Sequence, residues 1–260
     1  MPTEMLRFPS AKGHELGGTL VQAEGEWVDA PRATALFAHC FTCTMKSHAA
    51  VRLSRALAQQ GVQVLRFDFT GLGESEGAFA RSGFAANVND VVSASEALSA
   101  GGHAPALLIG HSLGGAAVLA AASRIPSARA VVTLGAPYEV DHVLDQLGDS
   151  LKRIEKDGSA QVEIGGRPFE VSREFLDGTR GQGQRSRIET LRRALLVMHS
   201  PTDQIVGIEH AAKIFTAAKH PKSYVSLDDA DHLLTRAADT EYAAGVITAW
   251  LQRYVDLPRE

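Results

Sequence analysis

The chain has 260 residues, of which 45% are hydrophobic, and its formal net charge is -4. A sequence of this length can bury a large core, and its acidic balance provides no basic stripe that would neutralise a nucleic-acid backbone. No apolar run reaches the roughly 18 residues of a membrane span and no hydrophobic signal core follows the N-terminus, so we expect a cytoplasmic protein with neither nucleic-acid nor membrane partners.

Short apolar runs alternate with helix-like segments along most of the chain. The predicted strands are Leu6–Phe8, Leu16–Ala23, Arg32–Ala38, Val62–Phe67, Ala106–Gly110, Arg129–Leu134, Ala194–Ser200 and Lys222–Leu227. The predicted helices are Ser47–Gln60, Phe84–Ala100, Leu113–Ser123, Ile208–Lys219 and Asp239–Tyr254. The later strands are near-continuous in Val, Leu and Ile, which is typical of parallel strands buried on both faces. The pattern predicts one α/β domain over residues 1–260, with a mostly parallel eight-stranded sheet, helices on both faces and an antiparallel pair at its start.

One segment, residues 138–190, interrupts this alternation. It is charged and glycine-rich, with a helix-like part up to about Lys156 and a hairpin-like run over Val162–Phe169. We interpret it as a small inserted lid, in which the bulky residues Phe169 and Phe175 are expected to limit the length of a bound acyl chain. The alternative is a solvated connection that does not contact substrate.

The run Gly110–Gly114 matches G-x-S-x-G, with Ser112 at its centre. A predicted strand enters this run and a predicted helix leaves it, which is the context of a nucleophile elbow. The sharp turn needs positions almost free of side chain on either side of the serine, and Gly110 and Gly114 supply them. Ser112 is therefore the predicted nucleophile; the alternative is a serine that only caps the helix.

A serine hydroxyl needs a base that titrates near neutral pH, and histidine is the usual one. His232 follows the last predicted strand, on a loop at the edge of the sheet where sites of open α/β folds lie. Asp203 follows the preceding strand, and the chain order Ser, Asp, His is the order that this context uses. We predict His232 as base and Asp203 as its orienting acid. An ordinary loop histidine and a turn aspartate are the alternatives.

The loop after the strand that ends at Ala38 occupies the place where a hydrolase of this kind supplies an oxyanion N–H group. The backbone N–H groups of Phe41 and Leu113 are the predicted oxyanion donors. Three neighbours, His39, Cys40 and His111, are expected to shape the pocket rather than to bind metal, because no H-E-x-x-H spacing accompanies the histidines. We expect no metal and no cofactor.

The two cysteines of the chain, Cys40 and Cys43, form a C-x-x-C pair at a strand-to-helix junction. A thioredoxin-like redox pair would occupy such a position, so a redox role is the rival hypothesis. A thioredoxin fold needs about half this length and no serine elbow. A separation of three positions cannot staple a large domain, and we expect two dispensable free thiols of a reducing compartment.

Several motifs resemble those of a known superfamily. The runs Gly110–Gly115 and Arg66–Ser75 are similar to motifs of α/β-hydrolases over nearly the whole chain. The runs His39–Cys43 and Ile164–Phe169 narrow the resemblance to the hydrolase half of bacterial proteins that are fused to a C-terminal OsmC-type peroxidase domain. Members of that group are described as serine esterases or as relatives of dienelactone hydrolase and prolyl oligopeptidase.

The resemblance implies the α/β-hydrolase fold and the same catalytic residues, Ser112, Asp203 and His232, with Phe41 and Leu113 at the oxyanion hole. It also implies fusion to, or association with, an OsmC-type domain, although the chain ends at Glu260, before any such domain. Dienelactone hydrolases proper use a cysteine nucleophile, so a serine at position 112 argues against that activity.

The expected function is hydrolysis of small carboxylic esters through an acyl-enzyme, with a small-molecule ester as the substrate. Thioesterase, amidase and perhydrolase activities use the same residues and remain alternatives, because fold alone does not separate them. A non-enzymatic scaffold with a vestigial triad belongs to another class. Homo-oligomer formation is left open.

Overall fold

The computed structural model describes residues 2–255, so Met1 and residues 256–260 of the predicted domain lie outside the described residues. The strands are β1 (Thr3–Pro9), β2 (Glu15–Val21), β3 (Ala33–Ala38), β4 (Val62–Phe67), β5 (Leu107–His111), β6 (Ala130–Leu134), β7 (Ser159–Ile164), β8 (Arg167–Ser172), β9 (Ala194–His199) and β10 (Lys222–Ser226). The helices are α1 (His48–Ala58), α2 (Phe84–Ala100), α3 (Leu113–Ala121), α4 (Ser150–Asp157), α5 (Arg173–Thr179), α6 (Arg185–Glu189), α7 (Ile208–Ala217) and α8 (Ala237–Val255). Over residues 2–255, no helix combines the length and the apolar character needed to cross a bilayer.

Eight strands form one sheet in the order β1-β2-β4-β3-β5-β6-β9-β10. Strand β2 runs antiparallel to both of its neighbours, β1 and β4. From β4 to β10 every pairing is parallel. The predicted mostly parallel, eight-stranded sheet of the α/β-hydrolase fold is confirmed.

Side-chain alternation along the central strands divides the core into two layers. In β5, Leu107 and Ile109 pack in the layer that includes α1 and α8, whereas Leu108 between them packs in the layer that includes α2 and α3. Successive residues of a strand point to opposite faces, so a strand with apolar residues at every position is buried on both sides. The prediction of helices on both faces is confirmed.

The strand order places one crevice at the carboxyl edge of the sheet. After β3 the chain moves to β4 on one side, and after β5 it moves to β6 on the other, although β3 and β5 are neighbours. The loops that leave β3 and β5 therefore diverge, which is where open α/β sheets bind ligands. Residues 39–47 follow β3 and Ser112 follows β5, so both open into this crevice.

The segment between β6 and β9 carries its own secondary structure. It contains a 3-10 helix (Val140–Leu147), α4, the antiparallel hairpin β7–β8, α5 and α6. Gly165 and Gly166 connect the two strands with φ angles of 58° and 73°, the backbone that a two-residue type I′ turn needs. The predicted hairpin is confirmed, whereas α5 and α6 lie in a stretch where we expected no helix.

The insertion is part of the core rather than a solvated connection. Ile154, Val171 and Leu176 are completely buried and pack in the same layer as α2 and α3. Phe175 is 2% exposed, and its ring centroid lies 5.9 Å from that of Phe41 and 5.5 Å from that of Phe79. The charge and glycine content of the segment suggest a mobile strip, but its apolar residues anchor it to the sheet.

We expect Phe175→Ala to lower the free energy of unfolding by about 3–5 kcal/mol, because it leaves a cavity among aromatic rings and apolar helices. Phe169 is only partly buried against Phe79, so Phe169→Ala should cost clearly less. Urea titrations of the two variants beside the wild type measure both values. A loss for Phe175→Ala no larger than that for Phe169→Ala would contradict the greater contribution that we expect from the buried ring.

Candidate functional site

Ser112 lies between β5 and α3 in the conformation expected of an elbow. Its backbone angles are φ 53° and ψ -124°, in a region that non-glycine residues rarely adopt. Its N–H group donates to the carbonyl oxygen of Leu134 in β6 at 2.8 Å, which fixes the turn to the neighbouring strand. Over the described part of the chain, its side chain accepts no capping hydrogen bond from α3. The geometry does not favour the helix-cap interpretation.

Two glycines allow the backbone segments of the elbow to approach one another. A Cβ atom on Gly110 would lie 2.3 Å from the carbonyl oxygen of Gly114. A Cβ atom on Gly114 would lie 2.3 Å from the carbonyl oxygen of Ala38 and 2.4 Å from that of His39. Real Cβ atoms do not come this close to backbone atoms, so any side chain at either position would separate α3 from β3 and β5.

His232 and Asp203 form a hydrogen-bonded pair. The Nδ1 atom of His232 lies 2.7 Å from Oδ2 of Asp203. A carboxylate only accepts, so Nδ1 donates this hydrogen bond, and Nε2 lies on the side of the ring away from Asp203. The other carboxylate oxygen accepts the backbone N–H groups of Ile205 at 2.8 Å and Val206 at 3.0 Å. Burial raises the pKa of Asp203, but these hydrogen bonds outweigh it and hold the pKa below its ordinary value.

The neighbouring aspartates are engaged elsewhere. Asp231 accepts the backbone N–H of Leu233 at 2.8 Å and that of Thr235 at 3.2 Å, together with the Thr235 hydroxyl. Asp229 pairs with the Arg236 guanidinium at 2.8 Å. These carboxylates stabilise the turn that follows His232, and Asp203 is the carboxylate that contacts the ring.

Two buried histidines brace the loops that carry this pair. The Nε2–H of His111 donates to the carbonyl oxygen of His232 at 2.7 Å. The Nε2–H of His199, at the end of β9, donates to the carbonyl oxygen of Val206 at 2.7 Å. Burial lowers the pKa of His111 to about 3 and also lowers that of His199. Both side chains are therefore uncharged near neutral pH, and their role is to hold the two loops in place.

His39 plays a similar role beneath the loop that follows β3. Its Nδ1–H donates to the carbonyl oxygen of Cys40 at 2.8 Å, and its Nε2 accepts the N–H of Phe69 at 3.3 Å. It is 1% exposed, and burial lowers its pKa. Of the three residues that we expected to shape the pocket, Cys40 lines the cavity, whereas His39 and His111 are buried and hydrogen-bond the loops that carry its lining residues.

A cavity of about 440 Å³ joins Ser112 and His232, which both line it. One wall comes from the loop after β3 and includes Phe41. Another part comes from the insertion, through Gln146 and, at the hairpin tip, Ile164, Gly165 and Arg167. Phe169 and Phe175 are not among the lining residues, so they do not contact the cavity directly, and their effect on acyl-chain length stays a prediction; the lining includes the apolar residues Ile164, Ile205 and Leu233.

The predicted oxyanion donors both lie close to the elbow in the fold: Leu113 follows Ser112 directly, and Phe41 lines the same cavity as Ser112. Leu113 is the first residue of α3, so its N–H has no acceptor within the helix. Phe41 lines the cavity, and its ring packs against those of Phe79 and Phe175 at 5.8 Å and 5.9 Å between centroids. The aromatic contacts hold the Phe41 backbone in place beside the elbow.

The prediction that Cys40 and Cys43 are free thiols is wrong, because the structure joins them in a disulfide. A hydrogen bond of 3.1 Å from the Cys43 N–H to the Cys40 carbonyl oxygen closes a tight turn, and the two Cα atoms are 5.3 Å apart. That separation is typical of bridged cysteines. A pair three positions apart cannot staple a domain, but it can close a turn. The thioredoxin-like hypothesis is not supported by the fold, because the sheet is that of an α/β-hydrolase.

Sequence reasoning missed several residues of the site. His199 lies four positions before Asp203, and only burial in three dimensions distinguishes it from a surface histidine. Gln146 and Arg167 reach the cavity from an insertion whose fold no motif predicts in detail.

No group of three or more His, Cys, Asp or Glu side chains that could hold a metal ion occurs between residues 2 and 255.

Comparisons with known proteins find similar sequences and similar folds. The family model described as serine aminopeptidase, S33, matches residues 29–157. The uncharacterized protein YfhR of Escherichia coli strain K12 is 23% identical over 232 residues, which covers 88% of this chain and 73% of that protein. The crystal structure of Est1E from Butyrivibrio proteoclasticus, with ferulic acid bound, is 16% identical with a TM-score of 0.82, and the match covers 97% of this chain and 100% of that one; it shows likeness of fold.

A higher identity links the chain to one solved structure. The crystal structure of the esterase domain of a Rhodothermus marinus protein is 46% identical, with a TM-score of 0.80. The match covers 98% of this chain and 100% of that domain. With this identity over nearly its whole length, the chain belongs to the same α/β-hydrolase family as that esterase domain.

Proposed function

We propose that the chain is a serine hydrolase that cleaves small carboxylic esters, with Ser112 as nucleophile, His232 as general base and Asp203 as the acid that orients it. One observation carries the proposal: Ser112 and His232 line the same cavity, and the far side of the His232 ring is hydrogen-bonded to Asp203 at 2.7 Å. The strained backbone at Ser112 supports it, because such strain persists only where surrounding structure enforces it.

The proposed reaction begins when Nε2 of His232 takes the hydroxyl proton of Ser112 as its oxygen attacks the ester carbonyl. The N–H groups of Phe41 and Leu113 stabilise the oxyanion of the tetrahedral intermediate, aided by the positive end of α3. The C–O bond to the alcohol then breaks, and His232 returns the proton to the leaving alcohol. Water, deprotonated by the same histidine, hydrolyses the acyl-enzyme and releases the carboxylic acid and Ser112.

The cavity supports a small substrate. Its volume of about 440 Å³ lies in the range of small-molecule sites, and its lining includes apolar residues such as Phe41, Ile164 and Ile205. The insertion contributes part of this lining, which supports its assignment as a lid. Para-nitrophenyl esters of increasing chain length, assayed beside a thioester and an amide, separate the esterase from the thioesterase and amidase alternatives.

Association with an OsmC-type domain and homo-oligomer formation stay predictions.

Ser112→Ala should lower kcat for para-nitrophenyl butyrate by a factor on the order of 10⁴ to 10⁶, because the three residues act as one unit. The circular-dichroism spectrum and the urea midpoint should show that the variant still folds. A fluorophosphonate probe should label the wild type and leave the variant unlabelled. Retention of a tenth of wild-type turnover would remove Ser112 from the role of nucleophile.

Asp203→Asn should lower kcat roughly 10⁴-fold, because an amide opposite Nδ1 favours the wrong imidazole tautomer. Asp231→Asn is the matched control, since Asp231 bonds only the turn at residues 233–235. It should leave most of the activity, with a stability loss of about 1 kcal/mol. If the control lost more activity than Asp203→Asn, the orienting acid would be Asp231.

Replacement of both cysteines, as Cys40→Ala with Cys43→Ser, should lower kcat by less than about tenfold, whereas loss of an oxyanion donor costs about 10²–10³. Other contacts still hold the turn: the His39 hydrogen bond to Cys40 at 2.8 Å and the packing of Phe41 against Phe79. Loss of so short a loop closure should cost about 2 kcal/mol of unfolding free energy. Dithiothreitol added to the wild type should reproduce both effects; complete inactivation, reversed by reoxidation, would instead identify a redox switch.

A further inference from the structure

The wall of the cavity carries cationic side chains but no acidic one. Lys46 and Arg167 both line it, and over residues 2–255 no aspartate or glutamate belongs to the lining. Asp203 lies behind the His232 ring, where its two oxygens are occupied by the imidazole and by backbone N–H groups. A substrate that enters this cavity therefore meets positive charge at its wall.

The two cations differ in how far their charge is compensated. The ammonium of Lys46 lies 2.6 Å from Oε1 of Glu74, and this pair is already formed. Among the described residues, no carboxylate lies within ion-pair distance of the Arg167 guanidinium. A guanidinium has five N–H donors in a planar fork that matches a carboxylate. Within residues 2–255, Arg167 is thus an exposed cation with no partner anion, and it lines the same cavity as the proposed nucleophile.

The position of Arg167 is fixed from three sides. It pairs with Ile164 across the two-glycine turn of the hairpin. Its guanidinium lies 5.1 Å from the centre of the Phe169 ring, and its Nη1 donates to the carbonyl oxygen of Thr42 at 3.3 Å. Thr42 follows Phe41, the proposed oxyanion donor. The remaining guanidinium donors are therefore held at the wall of the cavity that Ser112 also lines.

We propose that Arg167 is a specificity-determining residue that binds a carboxylate carried by the substrate, so that the preferred substrates are monoanionic esters. This inference rests on the proposed function and leaves its chemistry unchanged. The carboxylate belongs either to the acyl part or to the alcohol part, and Arg167 would form a bidentate pair with it. The paired Lys46 supplies a weaker field at the same wall.

The experiment compares two matched pairs of esters. For the acyl side, the mono-para-nitrophenyl ester of adipic acid is compared with para-nitrophenyl hexanoate. For the alcohol side, para-(hexanoyloxy)benzoate is compared with its methyl ester. We expect kcat/KM of the wild type to favour the anionic ester about five- to tenfold in one pair, mainly through KM, as a partly exposed ion pair allows. Added salt should shrink this preference.

Three variants test whether Arg167 is responsible. Arg167→Gln should reduce the anionic-to-neutral ratio to about one, and Arg167→Lys should retain part of it, because it keeps the charge and loses the fork. Arg153→Gln is the control, since Arg153 is an exposed arginine of the same insertion that does not line the cavity. It should leave the ratio unchanged. If Arg167 only tied the hairpin to Thr42, its replacement would slow both esters alike.

The outcomes separate this inference from the function beneath it. If the wild type hydrolyses the neutral esters but shows no preference in either pair, or if Arg167→Gln keeps the preference, the role of Arg167 is overturned and the esterase stands. If the wild type hydrolyses none of the four esters, the proposed function itself fails. The pair in which the preference appears identifies which part of the substrate carries the carboxylate.

Discussion

The site depends on how closely the first turn of α3 approaches the ends of β3 and β5. Gly114 lies directly against the carbonyl oxygens of Ala38 and His39, and Gly110 lies against that of Gly114. This contact sets the angle at which the chain leaves the sheet, and that angle forces Ser112 into its strained backbone. It also brings the N-terminus of α3 beside the loop that carries Phe41. A methyl group at position 114 would move both proposed oxyanion donors at once.

The residues of the candidate site were predictable where a short stretch of sequence carries the signal. Gly110, Ser112 and Gly114 form a short motif whose geometry follows from steric limits, and Asp203 and His232 each follow a strand that its apolar run reveals. The hairpin was predictable because adjacent glycines at 165 and 166 supply the two positive φ angles of its turn. In each case the signal lies within a few positions of the residue it concerns.

Other features depended on contacts between distant parts of the chain. Nothing near Arg167 in sequence indicates that its guanidinium contacts Thr42, which lies 125 positions earlier. The disulfide was missed because two cysteines three positions apart cannot cross-link distant parts of a domain, and we therefore expected free thiols. The loop after β3 instead folds into a turn that brings the two sulfur atoms together. Helices α5 and α6 were missed because they are short, with seven and five residues, and because α5 contains Gly178 and α6 follows Gly181 and Gly183.

The buried histidines give the site a particular response to acid. His39, His111 and His199 are neutral in the folded protein and would take up a proton near pH 6.5 when unfolded. Because the folded pKa is depressed in each, the unfolded chain binds more protons below that value, and stability falls as the pH drops. For His111 this loss continues down to about pH 3. The burial of these histidines, which brace the loops of His232 and Asp203, therefore weakens the fold in acid, although their hydrogen bonds to backbone carbonyl groups partly oppose the effect.

The two ends of the β7–β8 hairpin differ in their surroundings: one end packs in the core and the tip lines the cavity. Its buried residues, Val162 and Val171, anchor it in the core, whereas Gly165 and Arg167 at the tip face the cavity. If the tip binds substrate as proposed, substitutions there would alter substrate preference without disturbing the anchoring end. Such a hairpin would let the substrate range change through very few positions, while steric limits at the elbow hold the sheet and α3 together.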